Sequence, residues 1–305
     1  MYKSESFGKG GMYAKVVADS IANGIRITTL ELQYPRFIHA EFMTHRMFSR
    51  NASSSRAIPV DKLLEQIREQ PAMPIHWGKN KPGMQAAEEQ DTEVLLDYGI
   101  GHNYSREEAW LEAANWSRIH AKGFSDAGYH KQIVNRLTEP FQFIKVVVTA
   151  TEWENFFNLR LHPDAQPEIY ELARIMADAM DNCEPEELGR FDSHLPYVTE
   201  KDRFYGQSFG HQYQKLSAAR CARVSYQNHD KSDPDIEKDI KLHDMLQEAG
   251  HMSPFEHQAS PMEDPRCLEV YNPAVQWEAG ITHVDSNQDL WSGNFRGWIQ
   301  YRKTL

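Results

Sequence analysis

Between Pro167 and Met180 the chain reads PEIYELARIMADAM, and Ile169, Leu172, Ala173, Ile175, Met176 and Met180 recur there at helical spacing. A helix with such a stripe is stable only when the stripe is buried against another apolar surface. Two segments can supply that surface. IRITTLELQ alternates as a half-buried strand does, so residues 12–33 read as two short strands. FQFIKVVVTAT reads as a buried segment.

The rest of the chain is organised around these pieces. RFIHAEFMTHR, opened by Pro35, spaces Phe37, Ile38, Phe42 and Met43 along one helix face. The serines and Asn of MFSRNASSSRAIP end that helix, and residues 71–83 read as loop. Helices are expected over 84–98 and 105–122, a helix end at QIVNRL, and a short helix at ATEWENFFNLRL. Residues 184–215 read as irregular and polar, 234–249 as a helix stopped by Gly250, and 265–294 mostly as loop. No repeat or linker divides the chain. The expected architecture is one mixed α/β domain of the α+β kind over residues 1–305, a mixed sheet with flanking helices and long loops.

Charge and composition narrow the function. A net charge of −11 makes the chain a poor partner for nucleic acid polymer, although a few local arginines can still hold a small phosphate. No run of about 18 apolar residues exists, so no membrane partner is expected. MYKSESFGKGGMY lacks the apolar stretch of a secretory signal. Cys183, Cys221 and Cys267 are odd in number and widely spaced, which fits a reducing cytoplasm. No CxxC or HExxH pattern is present, so no metal site is expected, and GKGG at 8–11 is not a dinucleotide-binding fingerprint.

Four constellations could carry chemistry. The first runs from His45 and Arg46 through Ser49, Asn51, Ser53, Ser54 and Ser55 to Arg56. Hydroxyls and backbone NH groups closed by guanidinium groups can satisfy phosphate oxygens; a solvated polar loop is the plainer alternative. The second is Asn155, Asn158 and Arg160, with Arg136 upstream. Asn155 and Asn158 can share a helix face. Arg160, in apolar surroundings, must find an anion, carbonyls, or a local carboxylate such as Glu152 or Glu154. The third is ARCARVS at 219–225. The fourth is HMSPFEH at 251–257, where His251 and His257 stand six apart, the wrong spacing for helical metal chelation. Taken singly, each histidine reads as a hydrogen-bonded structural residue.

Together these segments resemble the flavin-dependent thymidylate synthases. THRMFSRNASSSR is similar to that family's RHRxxSxNxxSxR at His45, Arg46, Ser49, Asn51, Ser54 and Arg56. NLRLHPDAQPEI, CARVSY and HMSPFEH resemble three further family blocks. The blocks follow a different order from the family's, as a circular permutation would produce, and in this the chain looks similar to extended variants encoded by tailed phages. Thr44, Ala52, Glu41 and Asp164 depart from the family pattern at its first Arg, a Glu, a Gln and a His. Arg296 or Arg302 could supply the guanidinium missing at Thr44.

The resemblance implies methylation of dUMP to dTMP, with FAD as cofactor and NADPH and methylenetetrahydrofolate as co-substrates, in a homotetramer of the cytoplasm (of the host, if the chain is phage-encoded). It implies that Ser53, Ser54, Ser55 and Arg56, assisted by Arg136, hold the nucleotide phosphate. Arg160 would face the uracil and act in catalysis. His45, Arg46, Asn51, Asn155, Ser253 and Glu256 would contact FAD, and His251 would border the folate. Two alternatives remain: a C5 hydroxymethylase of dUMP or dCMP on the same scaffold, and a non-catalytic flavin or nucleotide binder.

Overall fold

A computed structural model describes residues 3–83, 87–96, 101–206, 212–224, 235–266 and 277–305. Its centre is a six-stranded sheet. Strands β1 (Ser4–Phe7), β2 (Tyr13–Ala22) and β3 (Ile25–Pro35) pair antiparallel in sequence order. Gly10 and Gly11, at φ 61° and 78°, turn the chain between β1 and β2, a left-handed geometry that glycine adopts without a Cβ clash. Beyond β3 the order skips forward to β7 (Phe143–Ala150) and back to β4 (Ser49–Ala52) at the edge, both antiparallel. The short β8 (Glu186–Glu187) joins β2 in parallel.

Both long strands near the N-terminus are where the alternation puts them, and each is longer than the short strands expected, at 10 and 11 residues. The two faces of the sheet bury different chemistry. On one face Val16, Leu30, Leu32, Tyr34, Ile144, Val146 and Val148 pack with α6 (Pro167–Asp181), whose stripe from Ile169 to Met180 is buried as expected. An aromatic group of Phe42, Phe48, Trp153 and Phe156 extends this core toward α1 (His39–Phe42) and α5 (Glu154–Arg160).

The opposite face is polar at its centre. Thr29 and Thr149, neighbours across β3 and β7, share a 2.7 Å hydrogen bond. Thr29 also bonds His194, which reaches Ser20, and Thr149 bonds His257. All of these side chains are buried. Over this layer lie α8 (Tyr213–Arg223) and the short β9 (Ala259–Pro261), with Cys221 and Val224 against Val147. Arg220 of α8 is 6% exposed and reaches Asp202 of α7 (Glu200–Gly206) and Asp239 of α9 (Ile236–Glu248); Arg223 shares Asp239. The arginines of the ARCARVS segment thus fasten three helices together, while Ser225 lies outside the described residues.

Several expectations need correction. Residues 184–215 hold β8, α7 and the start of α8, so they are less irregular than their polarity implies. Of the helix expected over 84–98, residues 87–93 are not helical and Val94–Leu96 form a strand, β5, paired with β6 (His102–Tyr104). The helix expected over 105–122 is α3 (Arg106–Asp126), and α4 (Lys131–Val134) opens the QIVNRL segment; α2 (Val60–Glu69) is a helix the sequence reading did not include. Ser105 caps α3 in a reciprocal box with Glu108. Near the C-terminus β10 (His283–Val284), β11 (Leu290–Ser292), β12 (Phe295–Arg296) and β13 (Trp298–Gln300) form small pairings, β13 with β9. Cys183 and Cys221 are free and buried; Cys267 lies outside the described residues. Among the described residues no helix is long and apolar enough to cross a membrane.

Candidate functional site

β4 organises the site. Its residues alternate between the faces of the sheet, as a strand requires. Ala52 packs against the apolar core. Ser49 and Asn51 turn to the polar side. There the Asn51 amide donates to the Cys221 carbonyl at 2.7 Å and accepts from the Ser253 hydroxyl at 3.2 Å. One buried side chain therefore joins segments that stand 170 and 202 residues away.

At the start of β4, α1 has ended at Phe42 and the chain turns through Thr44, whose hydroxyl donates to the Glu41 carbonyl. His45 is buried edge-on against Phe156, with ring centres 4.8 Å apart. Arg160, last residue of α5, donates from Nε to His45 Nε2 at 2.9 Å and from another guanidinium nitrogen to Glu41 at 2.6 Å. Arginine only donates, so His45 Nε2 accepts and its proton sits on Nδ1. Burial, then the charges of Arg160 and Arg50, push the His45 pKa down to about 4, which keeps the ring neutral at pH 7. Arg50, within β4, braces the preceding turn by donating to the carbonyls of Met43 and His45. The partner of Arg160 is therefore Glu41, and neither Glu152 nor Glu154.

At the far end of β4 the chain is held by different groups. Ser53 exchanges hydrogen bonds with the Lys145 backbone through its own NH and its hydroxyl. Ser55 is buried and its carbonyl accepts from Asn135, which also holds the Ile58 carbonyl. Ser54 accepts from the Ala57 NH and begins a turn that leaves Arg56 exposed. Arg136 follows Asn135 and is also exposed. The four residues of β4, about 13 Å at the usual strand rise, separate this end from the Arg160 end. The structure brings Arg160 to His45, and Ser55 to the neighbour of Arg136, as two clusters within one chain.

The other site residues fall as follows. Arg46, Asn155, His251 and Ser253 are exposed, and Asn155 shares the outer side of α5 with Asn158. His257 is fully buried and bonded to Thr149, a structural role of the kind its setting implies. Glu256 forms an ion pair with Arg302. Arg296 pairs with Glu152 at 2.6 Å. Glu41, Arg50, Asn294 and Gln300 are functional-site neighbours that no motif singled out as a group. The guanidinium groups of Arg46, Arg56 and Arg136 make no hydrogen bond or ion pair with any described residue. Each is free to meet an anion, in contrast to the bound guanidiniums of Arg160, Arg220, Arg296 and Arg302.

The described residues form an α+β protein in which Arg46, before the edge strand β4, and Arg56, after it, carry guanidinium groups without a partner among the described residues. Residues 19–186, more than half of the chain, match the family model described as thymidylate synthase complementing protein, and the chain belongs to that family. The family is that of the flavin-dependent thymidylate synthases, so the chain belongs among enzymes of thymidylate synthesis. The matched stretch contains the first two constellations and ends before the third and fourth. No curated protein matches the chain.

Proposed function

We propose that the protein is a flavin-dependent thymidylate synthase, converting dUMP to dTMP with methylenetetrahydrofolate as one-carbon donor and NADPH as reductant. The observation that carries this assignment is the gathering of the scattered motif blocks around one short strand. Asn51 bonds Cys221 and Ser253, and separately His45 bonds Arg160, all at or beside β4.

The residues suit the cofactor. Arg46, Asn155, His251 and Ser253 offer exposed polar groups beside the buried His45 and Asn51, and Glu256 stands behind them with Arg302. These would hold FAD, which when bound and reduced supplies the hydride. Arg160, already aimed by Glu41 and His45, would lie against the uracil and stabilise negative charge as it develops on the ring. Fixed donors of this kind contribute most where the reaction creates charge. Ser53, Ser54, Ser55, Arg56 and Arg136 would grip the phosphate. Both Arg56 and Arg136 are exposed and have no partner among the described residues, so no ion pair there must break when the phosphate arrives.

Because the Arg56 and Arg160 clusters sit at opposite ends of β4, the complete site is read as shared between copies in a homotetramer. Trp116, Ile119 and Phe124 of α3, with Tyr129, Ile133 and Leu137 after it, are exposed apolar side chains suited to burial between copies. The order of the blocks is read as a circular permutation: Cys221 and Ser253 meet Asn51 of β4 although their segments follow it in sequence, and packing is indifferent to where the chain is cut. The same permuted order supports the phage-like origin, and with it action in the host cytoplasm.

The test is to incubate the protein with FAD, NADPH, methylenetetrahydrofolate and either dUMP or dCMP, and to weigh the nucleotide. A methyl gain on dUMP supports the assignment. A hydroxymethyl gain on either nucleotide would make the enzyme a hydroxymethylase instead, and an unchanged mass with both would leave a binding protein.

A further inference from the structure

We propose that the C-terminal segment from Leu290 to Lys303 is a clamp that positions the His45–Asn51 loop for its ligand, with Gln300 as the positioning residue. This segment lies outside the stretch matched to the family, which ends at residue 186. Yet it touches the first constellation at Ser49 and the fourth at Glu256.

Gln300 is 2% exposed, and its side-chain NH2 faces three acceptors: Ser49 Oγ at 3.1 Å, Asn294 Oδ1 at 3.0 Å and the Glu256 carbonyl at 3.3 Å. Two hydrogens shared among three acceptors fix the amide in one orientation. Asn294 closes the ring. Its Oδ1 accepts from Ser49 at 3.1 Å, and its Nδ2 donates to the Met47 carbonyl at 2.8 Å. Met47 and Ser49 are the two residues between which the chain enters β4. A surface tail would leave such amides in water. Here both are aimed at the backbone and hydroxyl of the loop that carries His45 and Arg46.

The clamp is itself anchored. The Gln300 NH donates to the Ser292 hydroxyl at 3.0 Å, which donates to the Gly280 carbonyl at 2.6 Å. Arg296 reaches the segment before α5, with its NH on Thr151 and its guanidinium on Glu152. Arg302 holds Glu256. The two arginines thus act as fasteners of neighbouring segments. Loss of the Gln300 donors frees the loop without removing any group assigned to ligand contact.

The clamp itself rests on geometry alone, and its effect on flavin rests on the function proposed above. Both are tested on the full chain with Gln300→Glu, which keeps the size of the side chain and removes its donors, and with Asn294→Ala. Leu63→Ala, in a separate core cluster between α2 and α3, serves as a control of general destabilisation. Amide exchange is measured in residues 43–52 and in α6, and FAD affinity is titrated. In the two clamp variants, exchange over 43–52 is expected to rise by about tenfold, as loss of a buried hydrogen bond allows, with α6 unchanged, and FAD affinity to fall by a similar factor. Unchanged exchange over 43–52, or a rise matched in α6 and in Leu63→Ala, would overturn the clamp. Faster exchange in a protein that binds no FAD even as wild type would support the clamp and remove the flavin assignment. Faster exchange with full FAD affinity would overturn the positioning role.

Discussion

Arg160 and Glu41, 119 residues apart in sequence, form a 2.6 Å ion pair beside His45. The pair is partly exposed, with side-chain exposures of 19% and 32%. Solvent screens it, so it stabilises the fold little, while it holds the guanidinium that is proposed to face the uracil.

Removing that carboxylate should therefore act on binding more than on folding. Glu41→Gln is expected to change stability by less than about 1 kcal/mol and to tighten dUMP binding by about 2- to 5-fold, because the nucleotide no longer competes with a carboxylate for Arg160. Calorimetric titration and thermal melting measure the two effects. Weaker binding in the variant would mean that Glu41 itself helps to hold the base.

Arg56 and Arg136 are exposed and have no partner among the described residues, so truncation should leave the fold intact. Arg56→Ala and Arg136→Ala are each expected to weaken dUMP binding by about 10- to 100-fold, the range for a charge-assisted hydrogen bond to phosphate. If the site is shared between copies, mixing Arg56→Ala and Arg160→Ala subunits, at dUMP too dilute for Arg56→Ala to turn over alone, should restore a fraction of the activity. A mixture that stays dead would place the whole site within one chain.

Much of the fold can be read locally. The stripe of α6, the alternation of β3 and the Gly250 stop after α9 each depend on residues within one element, and each appears in the structure. β4 was hidden because SRNA is short and polar, and it is a strand only because β7 lies beside it. Residues 87–96 misled because charge-rich, Gly- and Pro-free sequence resembles a helix until tertiary pairing draws Val94–Leu96 onto β6. The site divides in the same way. Arg160 announced its need for an acceptor through its apolar neighbours, but nothing near it in sequence named Glu41. Asn294 and Gln300 carry no motif at all, and only the folded chain brings them to Ser49.

Neutral histidines, three buried and His39 partly so, predict acid sensitivity. Burial is the leading cause that lowers His39 and His45 to about 4, and His194 and His257 to about 3, from an ordinary 6.5. The unfolded chain binds these protons first, so the stability contributed by these histidines is complete above about pH 6.5 and falls as pH drops toward 3–4. Urea unfolding at a series of pH values should show a midpoint that declines steadily through this window. A flat profile between pH 6.5 and 4 would mean that these rings are not held neutral.

The polar layer between the sheet and α8 gives a separate stability test. Thr149→Val keeps the shape of the side chain and removes the hydroxyl that joins Thr29 to His257. His257 Nε2 already lacks a partner among the described residues, so the ring would lose its side-chain hydrogen bond as well. A cost of about 1–3 kcal/mol is expected from the unsatisfied buried groups. A change below about 0.5 kcal/mol, the level of an ordinary surface substitution, would contradict the chain of hydrogen bonds described.

The most direct measurement is the visible absorbance of the protein loaded with FAD, recorded as dUMP is added to wild type and to Arg160→Ala. A nucleotide lying against the flavin should shift the wild-type band in a saturable way, and the shift should vanish in the variant. A bound-flavin spectrum that dUMP leaves untouched, or no flavin uptake at all, would contradict the account.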